Sequence, residues 1–157
     1  MCIVIDMDVL SCVFNPCNQH HSDFSPVKEW VTRRNGFIVF GGTRYKSELR
    51  NARHYLGIFT ELSRKGKVKQ VNQELVDRHQ QIVEGLLGQT RFNDPHLIAI
   101  IRVSGCRLVC SKDQEADKHL KNKRYYLPNQ KPPSIYRSRK HAKLLINQNI
   151  VKISNSS

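Results

Sequence analysis

The feature that most constrains the fold is a series of short apolar runs separated by stretches with helical periodicity. Each run has the length of a buried strand, and turn residues or carboxylates bound most of them. The runs predict strands at 2–5, 37–40, 67–71 and 107–110, with a last strand at 150–153. Strands that alternate with helices form parallel sheets covered on both faces. The sequence therefore predicts a three-layer α/β/α sandwich with a central, mainly parallel sheet, built as a single domain over 1–157.

Capping and breaking residues predict the helices between these strands. Pro26 is placed at the first position of a helix reaching Arg34, after a polar loop over 15–26. Thr43 is expected to cap a helix running to about His54, and Asp94 to cap the helix that Pro95 begins. The other helices are predicted at 9–14, 58–65, 72–87, 113–121 and 138–145.

The charge of the chain points to a polyanionic partner. Lys and Arg number 26 against 13 Asp and Glu, and the formal net charge is +13. Residues 102–157 hold 13 of the basic side chains and three of the acidic ones. Binding to phosphates releases condensed counterions, so nucleic acid is the expected partner of a surface like this one. No apolar run approaches the length of a membrane span and the first residues do not resemble a signal peptide, so we expect a cytoplasmic protein without membrane contact.

Five cysteines in a chain without a secretory signal are expected to be reduced. Cys12, Cys17, His20 and His21 lie close enough in sequence to suggest a zinc site. Their spacing departs from the usual zinc-finger or zinc-ribbon pattern. The sequence has no second pair of cysteines or histidines at a matching spacing. Whether this cluster binds a metal is left open by the sequence.

Acidic residues are scarce, and several follow the predicted strands or open the helices beside them. They are Asp6, Asp8, Glu48, Asp94, Asp113 and Asp117. The carboxyl ends of parallel strands meet at one edge of a sheet, so these side chains are expected to converge there. Such a cluster is costly without a cation, and Mg²⁺ prefers oxygen ligands. Taken singly, Asp94 is explained by helix capping alone, and Glu48 and Asp113 are explained as surface charges; only their joint order and placement favour a metal site.

Four segments together resemble the signature of PIN-domain nucleases. They are IVIDMDVL at 3–10, TRYKSELR at 43–50, NDPHLIAIIRVSG at 93–105 and LVCSKDQEAD at 108–117. The resemblance implies a Mg²⁺- or Mn²⁺-dependent endoribonuclease with Asp6, Glu48, Asp94 and Asp113 as its catalytic, metal-binding acids. Asp117 would be an auxiliary ligand. Asp8 departs from the family, which usually has Asn there; it would bind metal through water or hydrogen-bond Asp6.

The resemblance also implies hydrolysis of RNA by a metal-activated water that leaves a 3′-hydroxyl and a 5′-phosphate. Lone PIN domains are typical of toxins of bacterial toxin–antitoxin modules, so a toxin-type or RNA-processing nuclease is expected. In the family, helices after the first strand often contact a second copy or an inhibitory protein, and Trp30 would serve there or in the core. The alternative is a non-catalytic nucleic-acid-binding module that acts through its basic C-terminal segment at about 121–149.

Basic residues near the C-terminus are the expected contacts to single-stranded or structured RNA. They are Lys112, Lys121, Lys123, Arg124, Arg137, Arg139 and Lys140. Tyr125, Tyr126 and Tyr136 interleave with them, which suits bases stacking on the rings. The equal alternative is that the tyrosines pack beneath a basic surface.

Overall fold

A computed structural model describes residues 1–145 of the chain. The strands are β1 (Cys2–Ile5), β2 (Phe37–Phe40), β3 (Val68–Gln70), β4 (Leu108–Cys110) and β5 (Ser134–Tyr136). The helices are α1 (Leu10–Phe14), α2 (His21–Arg33), α3 (Thr43–Asn51), α4 (Arg53–Arg64), α5 (Gln73–Leu87), α6 (Pro95–Ser104) and α7 (Asp117–Leu120). Short 3₁₀ helices span Met7–Val9, Gln114–Ala116, Lys123–Tyr125 and Arg139–Leu145.

All five strands are parallel and lie in the order β3-β2-β1-β4-β5. β1 is central, pairing Cys2 with Phe37 on one side and Ile5 with Cys110 on the other. Helices pack against the sheet, with α2 against β2 and α6 against β1 and β2. This arrangement confirms the predicted α/β/α class and the first four predicted strands, with ends shifted by at most one residue. The predicted strand at 150–153 lies outside the described residues.

The core explains why β1 is apolar throughout and why α6 is mostly apolar. Ile3, Val4 and Ile5 are fully buried, as expected for a strand covered on both faces. Trp30 is 1% exposed, which places it in the core. None of the helices within residues 1–145 is both long and apolar enough to cross a membrane.

The fifth strand, β5, lies within the basic segment at about 121–149, where the sequence predicts no strand. Ser134–Tyr136 pairs with β4 through Val109 and Ile135, and the side chains of Ile135 and Tyr136 are buried. Pro132 and Pro133 precede this strand, and it spans only three residues, so the local sequence is more typical of a loop. Its position at the edge of the sheet tolerates the nearby prolines.

Helix α2 also corrects the prediction, because it begins at His21 and contains Pro26. Pro26 has no N–H, so the carbonyl oxygen of Ser22 lacks its usual helical donor. Arg139 supplies the missing donors, with Nε at 3.1 Å and Nη2 at 2.8 Å from that oxygen. A residue far along the chain therefore stabilises a helix that the local sequence argues against.

The start of α3 differs from the prediction in its cap. Gly42, with φ of +87°, occupies the N-cap position, and a β-carbon there would come within 2.5 Å of Val76. The capping acceptor is Asp77 of α5, which accepts hydrogen bonds from the Thr43 N–H at 2.8 Å and the Thr43 hydroxyl at 2.6 Å. The helix ends at Asn51 and α4 follows after Ala52, where one helix to about His54 was expected.

Candidate functional site

The carboxyl edge of the sheet brings two predicted acids to neighbouring strands. Asp6 directly follows β1, and its N–H donates to the Cys110 carbonyl at 3.0 Å, extending the contact between β1 and β4. Asp113 follows β4 by three residues. Each aspartate opens a short 3₁₀ helix, accepting from the N–H two residues later: Asp6 from Asp8 at 3.4 Å and Asp113 from Glu115 at 2.9 Å.

Asp6 is the most unusual of these acids, because it is a carboxylate that is only 4% exposed. Burial, together with the charges of Asp94, Asp8 and Glu48, raises its pKa to about 7, although the Asp8 N–H opposes the shift. Within residues 1–145, that N–H is its one hydrogen-bond donor. A buried carboxylate with so few donors is poorly compensated, and a cation would relieve the cost.

Asp94 is not the helix cap that the sequence suggests. It stands at the N-cap position of α6, but its side chain makes no capping hydrogen bond within the described chain. Instead its Oδ1 lies 3.6 Å from Arg44 Nη2. Burial raises the pKa of Asp94, with further upward contributions from Asp8, Glu48 and Asp113, while Arg44 lowers it. Asp94 therefore belongs electrostatically to the same cluster as Asp6.

Arg44 connects Asp94 to Glu48. Arg44 Nε lies 3.2 Å from the Glu48 Oε1, one helical turn along α3. The same guanidinium thus faces two of the predicted acids. Sequence reasoning missed Arg44 as a site residue, although its i,i+4 spacing from Glu48 was a readable sign of an ion pair.

Two of the predicted acids, Asp8 and Asp117, differ from Asp6 and Asp94 in their surroundings. Asp8 is exposed and acts on Asp6 through its charge. Asp117 is ion-paired with Arg137 Nη2, a residue also assigned to RNA binding. The structure thus relates Asp6, Asp8, Glu48, Asp94 and Asp113 to one another and engages Asp117 with a basic neighbour.

Two buried side chains near the acids, Tyr45 and His96, were not predicted from the sequence as site residues. Tyr45 of α3 is fully buried, and its hydroxyl donates to the Ile5 carbonyl at 2.7 Å, beside Asp6. His96 of α6 lies with its ring centroid 6.4 Å from that of Tyr45, and burial, with Arg44 nearby, lowers its pKa to about 3. Its Nδ1 has no hydrogen-bond partner within the described residues. The His96 imidazole is therefore neutral, and it lies beside Tyr45.

The chemistry of the donors fits a hard divalent cation. Carboxylate oxygens are the ligands that Mg²⁺ and Mn²⁺ accept, and the mutual repulsion of these acids favours a bound positive charge. Within residues 1–145, however, no three His, Cys, Asp or Glu side chains are grouped closely enough to hold a metal ion. Arg44 accounts for part of this arrangement, since it draws Glu48 and Asp94 towards its guanidinium.

The predicted RNA-binding residues divide into two groups. Five have exposed side chains that make no hydrogen bond or ion pair within residues 1–145, and these are Lys112, Lys121, Lys123, Arg124 and Lys140. Arg137 and Arg139 are instead committed to contacts with Asp117 and with the Ser22 carbonyl.

The tyrosines among the basic residues pack beneath this surface. Tyr125, Tyr126 and Tyr136 are 5%, 6% and 0% exposed. The Tyr126 hydroxyl donates to the Leu120 carbonyl at 2.6 Å, and that of Tyr136 donates to the Asp23 carbonyl at 2.7 Å. Their rings are not available for stacking with bases, so the packing alternative is the one that the structure supports.

The segment from Cys12 to His21 runs from α1 through a hydrogen-bonded loop to the start of α2. Cys12 is buried and Cys17 exposed, and His21 Nδ1 lies 2.9 Å from the Cys12 carbonyl oxygen. The Asn15 side chain accepts from the Cys17 N–H at 3.0 Å. These contacts account for the shape of the loop in terms of ordinary turn chemistry.

Comparison with known proteins finds no match: no family model, no curated protein and no solved structure resembles the chain significantly.

Proposed function

We propose that this chain is a Mg²⁺- or Mn²⁺-dependent endoribonuclease whose site is the acidic cluster at the carboxyl edge of the sheet. The observation that carries the proposal is Asp6, a nearly buried carboxylate whose pKa is raised to about 7. Three other acids from separate elements, Asp8, Glu48 and Asp94, act on it. A fold gains nothing in stability from assembling these charges, so a role in binding a cation accounts for them best.

Asp6, Glu48, Asp94 and Asp113 are the residues that would hold the metal. A bound cation would offset the charge of these carboxylates and would supply Lewis-acid chemistry for hydrolysis of a phosphodiester by water. The rigid end of β1 positions Asp6, because the Tyr45 hydroxyl holds the preceding Ile5 carbonyl.

The exposed lysines and arginines would bring RNA to this edge. Lys112 is adjacent in sequence to Asp113, and Lys121, Lys123 and Arg124 follow α7. Their charges attract phosphates over long distances without selecting a sequence. A basic surface that attracts RNA beside an acidic cluster that binds a cation is what a metal-dependent nuclease requires.

Cleavage of a mixed pool of single-stranded and structured RNA tests the proposal. The pool is incubated with Mg²⁺, Mn²⁺ or EDTA, and wild type is compared with the Asp6→Asn, Asp94→Asn double variant. Glu115→Gln, which changes an exposed acid of the 3₁₀ helix after Asp113, is the matched control. We expect metal-dependent cutting by wild type and the control, and none by the double variant. Cutting that persists in the double variant, or in EDTA, contradicts the proposal.

A second function is a nucleic-acid-binding module without catalysis. The observation that favours it is Arg44, which already compensates Glu48 and Asp94 within the protein. If this function is correct, wild type and the Asp6→Asn, Asp94→Asn double variant bind the RNA pool equally, and neither protein cuts it with any metal. Substitution of Lys121, Lys123 and Arg124 would then abolish the function.

A further inference from the structure

A cleft lies against α3, and the residues that line it differ from those of the acidic site. It has a volume of about 330 Å³. Its apolar lining includes Phe40, Leu49, Leu56 and Phe59, and its basic lining includes Lys46 and Arg50. Among residues 1–145, no Asp or Glu lines this cleft, whereas a neighbouring cleft contains Glu48, Asp77 and Glu84.

The floor of the cleft is aromatic and rigidly supported. Phe40, the last residue of β2, is half-buried, and its ring meets that of Phe59 edge-on with centroids 5.5 Å apart. Tyr45 supports it from a second direction at 5.8 Å. Phe59 is only 2% exposed, so Phe40 is the aromatic ring of the cleft that is accessible to the face of a planar ligand.

The basic side chains around this floor are suited to an anion. Arg50 is exposed and has no ion-pair partner among the described residues. Lys46 Nζ donates to the neutral Gln73 side chain at 3.1 Å, so its charge is uncompensated. Arg64 contributes less, since it pairs with Glu61 at 3.1 Å on the surface.

Helix α3 relates this cleft to the acidic site. Residues two apart on a helix point in nearly opposite directions, because each residue turns by about 100°. Arg44 and Glu48 face the acids, and Lys46 and Arg50 therefore face the cleft. A single strand of RNA lying across α3 would reach both the cleft and the acidic site.

We infer that this cleft binds an unpaired nucleobase of single-stranded RNA, with Lys46 and Arg50 contacting the adjacent phosphates. The choice of RNA rests on the proposed function; the ligand chemistry rests on the cleft. An aromatic floor that accepts any base, flanked by cations that accept the backbone, is the usual design of sites for single strands. Charge complementarity favours this ligand, as the chain carries +13 and no acid among residues 1–145 lines the cleft.

Binding of a fluorescent octamer of adenylate, measured by anisotropy in EDTA, tests the inference. The comparison ligand is an octamer of the same charge with abasic riboses. We expect wild type to prefer the adenylate octamer, and Phe40→Leu to lose about tenfold in affinity for it while binding the abasic octamer as before. Arg50→Gln should weaken both ligands and reduce the salt dependence by about one phosphate contact. Arg33→Gln, on an exposed position of α2, is the matched control.

A further variant covers the case in which Phe40→Leu does not fold. Leu56 is 37% exposed, so Leu56→Glu places a negative charge in the cleft without disturbing the core, and it should weaken the adenylate octamer about tenfold. Equal binding of the two octamers by wild type overturns the inference, as does unchanged binding by both Leu56→Glu and Arg50→Gln.

The two proposals fail separately. If the cleft variants behave as expected but no RNA is cut with any metal, the ribonuclease function fails and the cleft stands. If RNA is cut in an Asp6-dependent manner while every cleft variant binds like wild type, the cleft fails and the ribonuclease function stands.

Discussion

Arg44 Nη2 lies 3.6 Å from Asp94 Oδ1, which joins the helix that follows β2 to the start of the helix that precedes β4. The same guanidinium pairs with Glu48 at 3.2 Å. Arg44 thus acts as an internal cation within the acidic cluster, and it competes with any divalent ion for two of the carboxylates.

Substitution of Arg44 by Gln should therefore strengthen metal binding. In EDTA at pH 8 we expect a loss of less than about 1 kcal/mol in the free energy of unfolding, because the ion pairs are partly exposed. The increase in Tm on adding Mg²⁺ should be larger than for wild type, since a competing charge is gone. Arg50→Gln on the same helix is the control. An equal Mg²⁺-induced increase in all three proteins would contradict the competition.

Substitution of Asp6 by Asn should stabilise the metal-free protein, and increasingly so as pH rises. Burial raises the pKa of Asp6 to about 7, so the folded chain holds a proton that the unfolded chain releases near pH 4. The native state then binds more protons than the unfolded state, and wild type loses stability between about pH 4 and 7.

Denaturant unfolding in EDTA from pH 5 to 8 measures this effect. The advantage of Asp6→Asn over wild type should grow to on the order of 3 kcal/mol by pH 7 and then level off. His96 changes stability in the opposite direction, because its lowered pKa costs stability below about pH 6.5, but it contributes equally to both proteins. A difference that does not depend on pH would show that Asp6 is not desolvated.

Substitution of Tyr45 by Phe should destabilise the end of β1. The Tyr45 hydroxyl is buried and donates to the Ile5 carbonyl at 2.7 Å, so its removal leaves that oxygen without the donor. We expect a loss of about 1–2 kcal/mol in the free energy of unfolding. Tyr55→Phe is the control, as the Tyr55 hydroxyl makes no hydrogen bond within residues 1–145. Equal chemical-denaturation midpoints for the two variants would exclude this role.

Substitution of Arg139 by Gln should lower Tm, although Arg139 was expected from the sequence to bind RNA. Its guanidinium satisfies the Ser22 carbonyl that Pro26 leaves without a donor. The loss should be about 1 kcal/mol, or roughly 2–4 °C for a chain of this size. The adjacent Lys140 is exposed, so Lys140→Gln should leave the thermal melt unchanged. If both variants melt like wild type, the contact contributes nothing to α2.

Combined substitution of Lys121, Lys123 and Arg124 by Gln should weaken RNA binding without changing stability. All three side chains are exposed, and loss of phosphate contacts lowers affinity and flattens its dependence on salt. We expect the slope of log K against log[salt] to fall by up to about three. Filter binding at several salt concentrations measures it. An unchanged slope would place the RNA elsewhere on the surface.

The pattern of apolar residues was sufficient to predict the strands whose limits are set by neighbouring residues in the sequence. β1, β2 and β4 are apolar runs followed by Asp, Gly or Ser, and each was predicted to within one residue. α2 was not, because its first turns depend on a hydrogen bond between residues 117 positions apart. β5 was missed because a three-residue edge strand carries too little periodicity to stand out beside two prolines.

The acidic site was predictable in part for the same reason. Asp6 and Asp113 follow strands, so the parallel topology alone places them at one edge. Asp94 has the same sequence context as a helix cap, and only its contact with Arg44 distinguishes the two roles. Arg44, Tyr45 and His96 were not singled out, since their importance comes from the side chains of other elements that surround them.

The strand order means that neither half of the chain contains the acidic site. Residues 1–70 form β1, β2 and β3 and carry Asp6, Asp8 and Glu48, whereas Asp94 and Asp113 belong to the later segment that adds β4 on the other side of β1. A chain in which β4 has not yet paired with β1 therefore holds only part of this negative charge, because Asp94 and Asp113 join it when a long loop closes. The full electrostatic cost of the site is met only in the complete sheet, where the apolar side chains of both segments offset it.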